Sequence, residues 1–258
     1  MCAARALSIP QMPNNPNVPS IPGLSAVTLL PSAEVATRHL AINLVRTEPG
    51  ADSPTHNHGT LDTMLYVLRG TMAFHCGRGM RQDIRVGADE FAFIEPHAAH
   101  AEYNPDTTDY SLGISVRDTP GAFLYPCDPP SETQPDRSGI VVVPRGTDPV
   151  NAAQPGEGAD GLAPLSQHHL RARRVALDRL TLVAGGRFAP ADAMAGETAL
   201  LVLEGAARLR DESASVPLDG ERGYWWYIEP GTRWSVENAK VDAIAELLLV
   251  RAVGGAQE

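Results

Sequence analysis

The chain repeats itself. Slid along its own length by 135 positions, so that 62 meets 197, "DTMLYVLRG" (62–70) falls on "ETALLVLEG" (197–205) and Gly50 falls on Gly185. A shift of 134 positions lays "IEPHAAHAEYN" (94–104) on "IEPGTRWSVEN" (228–238). Two separate blocks agreeing to within one residue imply a duplicated unit, so the 258 residues form two copies of one domain rather than a single large one.

The unit reads as all-β. From about 38 to 118 the short apolar runs "HLAINLV", "TMLYVL", "EFAFIE" and "YSLGISV" alternate with turns of Gly, Pro, Asp and Asn, the pattern of a small antiparallel sandwich or barrel. Residues 9–31 are dense in Pro and Asn, which denies them helix hydrogen bonds. We therefore expect an arm over 1–36, a barrel over 37–126, a Pro, Gly and acid-rich linker over 127–172 with one strand-like insert ("IVVVP"), and a second barrel over 173–258.

Composition narrows the partners. The formal charge is -10, and the densest basic cluster is "RARR" at 171–174, so nucleic acid is not expected, because phosphate binding draws on basic patches. A membrane span is not expected either: "AELLLV" and "TALLVL" fall far short of the roughly 20 residues a bilayer requires, and the N-terminus lacks the basic-then-apolar order of a signal peptide. Three cysteines, Cys2, Cys76 and Cys127, show neither metal nor disulfide spacing, which points to a reduced, cytoplasmic protein.

The functional signal lies in "THNHGTLDT". In a strand, residues two apart share a face, so His56 and His58 converge, as do His100 and Glu102. An isolated His-x-His is more often a solvent-facing strand than a metal site, and the repeat tips this balance. His56, His58 and His100 fall on Ala191, Ala193 and Trp234, while the surrounding Gly, Pro, Ile and Asn positions are kept. Ligand-type residues were exchanged together and the scaffold was not, so the three histidines are read as a metal site. The fourth ligand lies between two carboxylates. Glu102 falls on Val236 and disappears with the histidines, whereas Asp62 falls on Glu197 and persists without them. Glu102 is favoured, with Asp62 as the alternative. Imidazoles suit Fe, Mn, Ni, Cu or Zn, and an added carboxylate favours the harder ions.

These residues resemble the motifs of the cupin superfamily, and the whole chain resembles a bicupin. Gly50, His56, His58, Asp62 or Thr63, and Gly70 match the first cupin motif; Gly87, Pro96, His100 and Asn104 match the second. Aligned on "YVLRG", the usual glutamate position falls on Thr63, a departure from the common ligand set. The site is similar to that of pirin, in which a glutamate two residues after the last histidine is the fourth ligand, the place of Glu102 here. The resemblance implies two tandem double-stranded β-helix (jelly-roll) barrels, the N-terminal one metal-binding and the C-terminal one degenerate. It implies one divalent transition metal, Fe(II) favoured and Mn, Ni or Zn compatible, held by His56, His58, His100 and Glu102.

By the same resemblance the expected activity is a dioxygenase acting on a small enol, phenol or dicarbonyl-type substrate chelated to the metal. The alternatives are a non-oxidative isomerase, cyclase, lyase or decarboxylase, and a non-catalytic, pirin-like regulatory protein. Glu102, Asp62 and His75 are the candidates for proton transfer, with a small molecule as partner and a homodimer as the allowed assembly. Phe74, Phe91 and Phe93 are candidate pocket walls. His97 is expected in an exposed turn, His168 and His169 on a solvated surface, and the Tyr224, Trp225, Trp226 block in core or interface packing.

Overall fold

The computed structural model describes residues 5–8, 21–144, 151–153 and 174–253. Among them there is no α-helix, only one turn of 3-10 helix at Arg78–Met80. The chain divides into two compact units, one of residues 11–148 and one that joins residues 1–10 to residues 149–258.

Strand β1 (Arg5–Ser8) comes first and belongs to the second unit. The first unit contains β2 (Leu24–Leu30), β3 (Ala41–Thr47), β4 (His56–Asn57), β5 (Thr63–Arg69), β6 (Thr71–Cys76), β7 (Gln82–Gly87), β8 (Phe91–Ile94), β9 (His100–Tyr103), β10 (Ser111–Arg117), β11 (Tyr125–Pro126) and β12 (Ile140–Val143). These build a six-stranded sheet ordered β12-β8-β5-β10-β3-β2 and a five-stranded sheet ordered β11-β4-β9-β6-β7. The second unit contains β13 (Asn151–Ala153), β14 (Val175–Leu182), β15 (Arg187–Phe188), β16 (Thr198–Glu204), β17 (Ala206–Asp211), β18 (Leu218–Glu221), β19 (Tyr224–Ile228), β20 (Trp234–Asn238) and β21 (Ala245–Ala252). Its sheets run β1-β19-β16-β21-β14-β13 and β15-β20-β17-β18. Stripped of edge strands, the two orders are the same: β8-β5-β10-β3 matches β19-β16-β21-β14, and β4-β9-β6-β7 matches β15-β20-β17-β18.

The Pro-rich N-terminal segment supplies strands to both units. Strand β2 lies antiparallel on β3 in the first barrel, while β1 lies antiparallel on β19 in the second, with Arg5 opposite Tyr227. The insert "IVVVP" forms β12, which covers the edge of β8 with Ile140 opposite Ile94. Thus β12 and β1 cap equivalent edges, one in each barrel.

The apolar runs are continuous rather than alternating because the large sheet of each barrel is buried on both faces. In β5, Thr63 to Val67 are all buried, and in β21 Leu247 to Val250 are. At roughly 1.5–3 kcal/mol for each fully buried aliphatic or aromatic side chain, these strands carry much of the driving force for the fold. Each hairpin between the two sheets turns on a glycine, Gly70 (φ 71°) and Gly205 (φ 74°). A Cβ at Gly205 would stand 2.4 Å from the Ile244 carbonyl oxygen, which excludes it, and one at Gly70 would crowd the Tyr110 carbonyl oxygen at 3.1 Å in a backbone conformation that already favours glycine.

The repeat extends to single hydrogen bonds. Asn104 Nδ2 donates to the carbonyl oxygens of Thr47 (3.0 Å) and Asp109 (2.8 Å), and Asn238 Nδ2 donates to those of Leu182 (3.0 Å) and Ala243 (2.7 Å). Their side-chain oxygens accept from Asp106 N–H (3.0 Å) and Lys240 N–H (2.8 Å). The asparagines were kept because each ties together three backbone segments.

Candidate metal centre

The short strand β4 is what brings the histidines together. His56 pairs directly with His100 across β4 and β9, and Asn57 on the opposite parity pairs outward with Tyr125 of β11. After His58 the chain must turn sharply. Asn57 Oδ1 accepts from Gly59 N–H at 2.8 Å, and Gly59 takes φ 61°, where an added Cβ would lie 3.0 Å from the Tyr125 ring. The Gly59 carbonyl then accepts the His97 N–H at 2.7 Å, clipping this turn to the one that leads into His100. His97 is exposed and adopts φ 60°, where its repeat partner is Gly231 at φ 78°.

The three imidazoles are buried, at 3% exposure for His56, 7% for His58 and 1% for His100. Their ring centroids lie 4.4 to 5.5 Å apart, and one ring nitrogen from each falls within 4.8 Å of the others. Their protons are fixed from behind. His56 Nδ1 faces the Pro54 carbonyl at 2.9 Å and His100 Nδ1 faces the Ala98 carbonyl at 2.9 Å. A carbonyl only accepts, so both Nδ1 atoms carry the hydrogen and both Nε2 atoms present lone pairs. His58 Nδ1 is held by Thr63 Oγ1 at 2.7 Å. Backing of this kind orients metal-ligating histidines. His100 Nε2 is buried with no hydrogen-bond partner, a cost that an ion would relieve.

Burial lowers the pKa of all three. It pulls His100 down to about 3, lowers His56 against the opposing effect of the Pro54 carbonyl, and lowers His58 well below its usual value, where the charges of His100, His56 and Arg117 add to it. The imidazoles are therefore neutral at pH 7, the form that ligates. Three neutral, converging, pre-oriented nitrogens fit a divalent transition metal, and these three histidines can hold one.

The cluster opens on a narrow cavity with about 40 Å³ of free volume, lined by apolar side chains including Leu65, Phe74 and Ile94 and by Ser53, Thr63, Ser115, Glu102 and Arg117. That is room for about three waters, or for a metal and a small ligand. Glu102 shares its inward parity with His100 and lies across from Phe74. Its Oε1 accepts from Thr47 Oγ1 at 2.8 Å, and burial raises its carboxyl pKa, with that hydrogen bond working the other way. The carboxylate is in the cavity but outside the tight group formed by the three histidines.

Several other candidates are placed elsewhere. Asp62 is buried, but it is not among the residues lining the cavity. His75 is a correction: it follows the inward Phe74, so it faces outward, and its ring stacks on Tyr103 at 4.4 Å, away from the cavity. Of the three phenylalanines only Phe74 lines the cavity. Phe91 and Phe93 lie on the other face of the large sheet, with Ala92 and Ile94 turned inward. His168 and His169 lie outside the described residues. Trp225 and Trp226 are fully buried and Tyr224 is 40% exposed. Ser115 and Arg117 are among the cavity residues that carried no motif signal. Thr63 stood out only as the departure from the usual glutamate, and the structure gives it a role in orienting His58.

The interior of the second barrel is filled by apolar side chains. Trp234, at the place of His100, is 2% exposed and lies 5.6 Å from the Phe188 ring, within an apolar cluster that also holds Trp226, Val236 and Leu247. Ala191 and Ala193 lie between β15 and β16 and offer no ligand atoms.

Residues 43–116 match the model of the cupin domain. Among curated protein sequences none matches the chain. Solved structures similar in fold include the protein Ylba from Escherichia coli, with a TM-score of 0.65 and 10% identity over 99% of this chain and 93% of that one. Bacterial pirin YhhW in complex with nickel(II), also from Escherichia coli, superposes with a TM-score of 0.59 and 16% identity, covering 89% of this chain and 91% of that one. Salicylate 1,2-dioxygenase from Pseudaminobacter salicylatoxidans gives 0.64 and 12%, covering 88% and 75%. The protein is a two-barrel protein with a histidine cluster in one barrel. Residues 43–116 of the first barrel match the cupin domain, and the fold of the chain is similar to that of the two-barrel structures above.

Proposed function

We propose that the first barrel is the active site of a metal-dependent dioxygenase acting on a small enol, phenol or dicarbonyl-type substrate. The observation that carries this reading is the convergence of three buried imidazoles whose Nδ1 atoms are already committed, beside an apolar cavity. Iron(II), the favoured ion, would supply open coordination positions for substrate oxygen and for dioxygen. His56, His58 and His100 are the proposed ligands, and Glu102 the proposed fourth. The walls formed by Leu65, Phe74 and Ile94 keep water away from the reacting groups and favour an apolar substrate body. Thr47 fixes one carboxylate oxygen of Glu102.

Support also comes from fold neighbours that include a salicylate dioxygenase and a nickel-bound pirin. The raised pKa of Glu102 favours one second reading, in which the same site runs a non-oxidative isomerase or lyase reaction and Glu102 carries the proton. The deciding experiment is elemental analysis of protein purified without added metal, followed by oxygen uptake with a catechol and flavonol panel. About one equivalent of iron per chain with substrate-dependent oxygen consumption is the expected result. Metal without oxygen consumption by any substrate that turns over would give the site to the second reading. Protein with no metal, or with tightly held zinc alone, would overturn both.

A further inference from the structure

The cavity contains a positive charge that the histidine cluster does not explain. Arg117, the last residue of β10, is 3% exposed and lines the cavity. Its guanidinium lies 3.6 Å over the Phe123 ring, and its buried Nε has no hydrogen-bond partner. Among the described residues it forms no ion pair; the carboxylate that acts on it electrostatically is that of Asp118, its chain neighbour. Burial pulls its pKa down to about 9, so it still carries its proton at neutral pH.

The second barrel shows what an ordinary arginine does at this position. Arg117 pairs with Thr63 across β10 and β5, and Arg251 pairs with Thr198 across β21 and β16; Thr63 and Thr198 are themselves equivalent in the repeat. Arg251 forms an ion pair with Asp178 of β14. The residue equivalent to Asp178 is Asn43 of β3: Asp178 stands opposite Leu249, and Asn43 stands opposite Ser115. Asn43 is as buried as Asp178, its Oδ1 accepts from Thr28 Oγ1 at 2.9 Å, and its Nδ2 has no partner. One barrel therefore neutralises its inner arginine with a carboxylate, and the other has exchanged that carboxylate for an uncharged amide while keeping the arginine. A buried guanidinium whose carboxylate neighbour, Asp118, acts on it without forming an ion pair or hydrogen bond with it leaves its N–H groups to be satisfied by something else, at a cost if nothing pairs with them.

We propose that Arg117 docks the carboxylate of the substrate, in the role that Asp178 plays for Arg251. This rests on the reading of the first barrel as a substrate-binding metal site, and it adds a substrate class: a small carboxylic acid whose apolar body lies against Phe74, Leu65 and Ile94. A carboxylate matches the guanidinium in planarity and can accept two parallel N–H bonds, which a neutral phenol cannot.

The test is calorimetric titration of butyrate, with butyramide as its uncharged counterpart, into metal-free and metal-loaded protein. Wild type is expected to bind butyrate in both states and butyramide at least tenfold more weakly. Arg117→Met should reduce butyrate affinity at least tenfold. Asn43→Asp should do the same with Arg117 still present, because it rebuilds the internal ion pair of the second barrel, and this second variant keeps the test decisive if the first fails to fold. Metal content, measured separately, should be unchanged in both variants. Butyrate binding that needs the metal and is indifferent to both substitutions would mean that the carboxylate ligates the ion, overturning the role of Arg117 while leaving the metal site standing. Absence of butyrate binding to wild type, or inorganic phosphate binding in its place, would also overturn the proposal. A protein that takes up no metal yet binds butyrate through Arg117 would support the carboxylate site and sink the metal reading alone.

Discussion

The two barrels share a backbone and differ in what fills it. The residues they have in common are those that hold main chain to main chain: the hairpin glycines Gly70 and Gly205, and the asparagine clamps Asn104 and Asn238. Those that differ point inward. His100, Glu102 and Asn43 in one barrel stand where Trp234, Val236 and Asp178 stand in the other. A jelly roll held by its turns and clamps can thus have its interior rewritten, provided the volume is filled or the polar groups are given partners.

The most severe way to break this contrast is to rewrite the first interior in the manner of the second. The triple variant His56→Ala, His58→Ala, His100→Trp should lose all bound metal by elemental analysis while keeping the β-sheet circular dichroism of the wild type. Next in size, Trp234→Ala should empty the second interior at a cost of about 3–5 kcal/mol in denaturant unfolding and leave metal content unchanged. A smaller effect should come from acid. Burial lowers the pKa of all three histidines below 6.5, that of His100 to about 3, so the unfolded chain takes up protons that the folded barrel refuses. Their contribution is fully present above pH 6.5 and drains away as the pH falls below it, in the case of His100 down to about 3. Glu102 works in the opposite sense: its raised pKa adds stability below 4.5 that is lost as the pH rises through the folded value. The metal-free protein should lose on the order of 3 kcal/mol between pH 6.5 and 4.5, and the triple variant should show a markedly flatter profile over the same range. The finest test is for equality. Asn104→Ala and Asn238→Ala should each cost about 2 kcal/mol by orphaning buried carbonyls, and a large inequality between them would show that the two clamps are not equivalent.

Much of this was legible in the sequence because the repeat marks what the scaffold needs. The convergence of His56, His58 and His100 followed from strand parity, and the loss of their counterparts singled them out. Parity failed where a strand is buried on both faces. Residues 91–94, "FAFI", are apolar at every position, so composition alone does not reveal that Ala92 and Ile94 face the barrel interior and that Phe91 and Phe93 do not. The same one-residue alternation turned His75 outward. Arg117 stayed hidden for another reason. Its meaning lies in a neighbour on a different strand, and the exchange of Asp178 for Asn43 falls outside both blocks that made the repeat visible.

The edge strand β1 gives the two barrels different histories during synthesis. Strand β12 leaves the ribosome after β8 and meets a partner already made, with a short stretch of chain between them. Strand β1 precedes its partner β19 by more than two hundred residues, so it must wait for all of them to be made before its hydrogen bonds can form. Closing so long a loop is slow compared with local pairing. The barrel with the histidines can therefore close while the chain beyond it is still being made, whereas the other barrel gains its edge strand only when β19 has followed, with the whole of the first unit lying between the two strands.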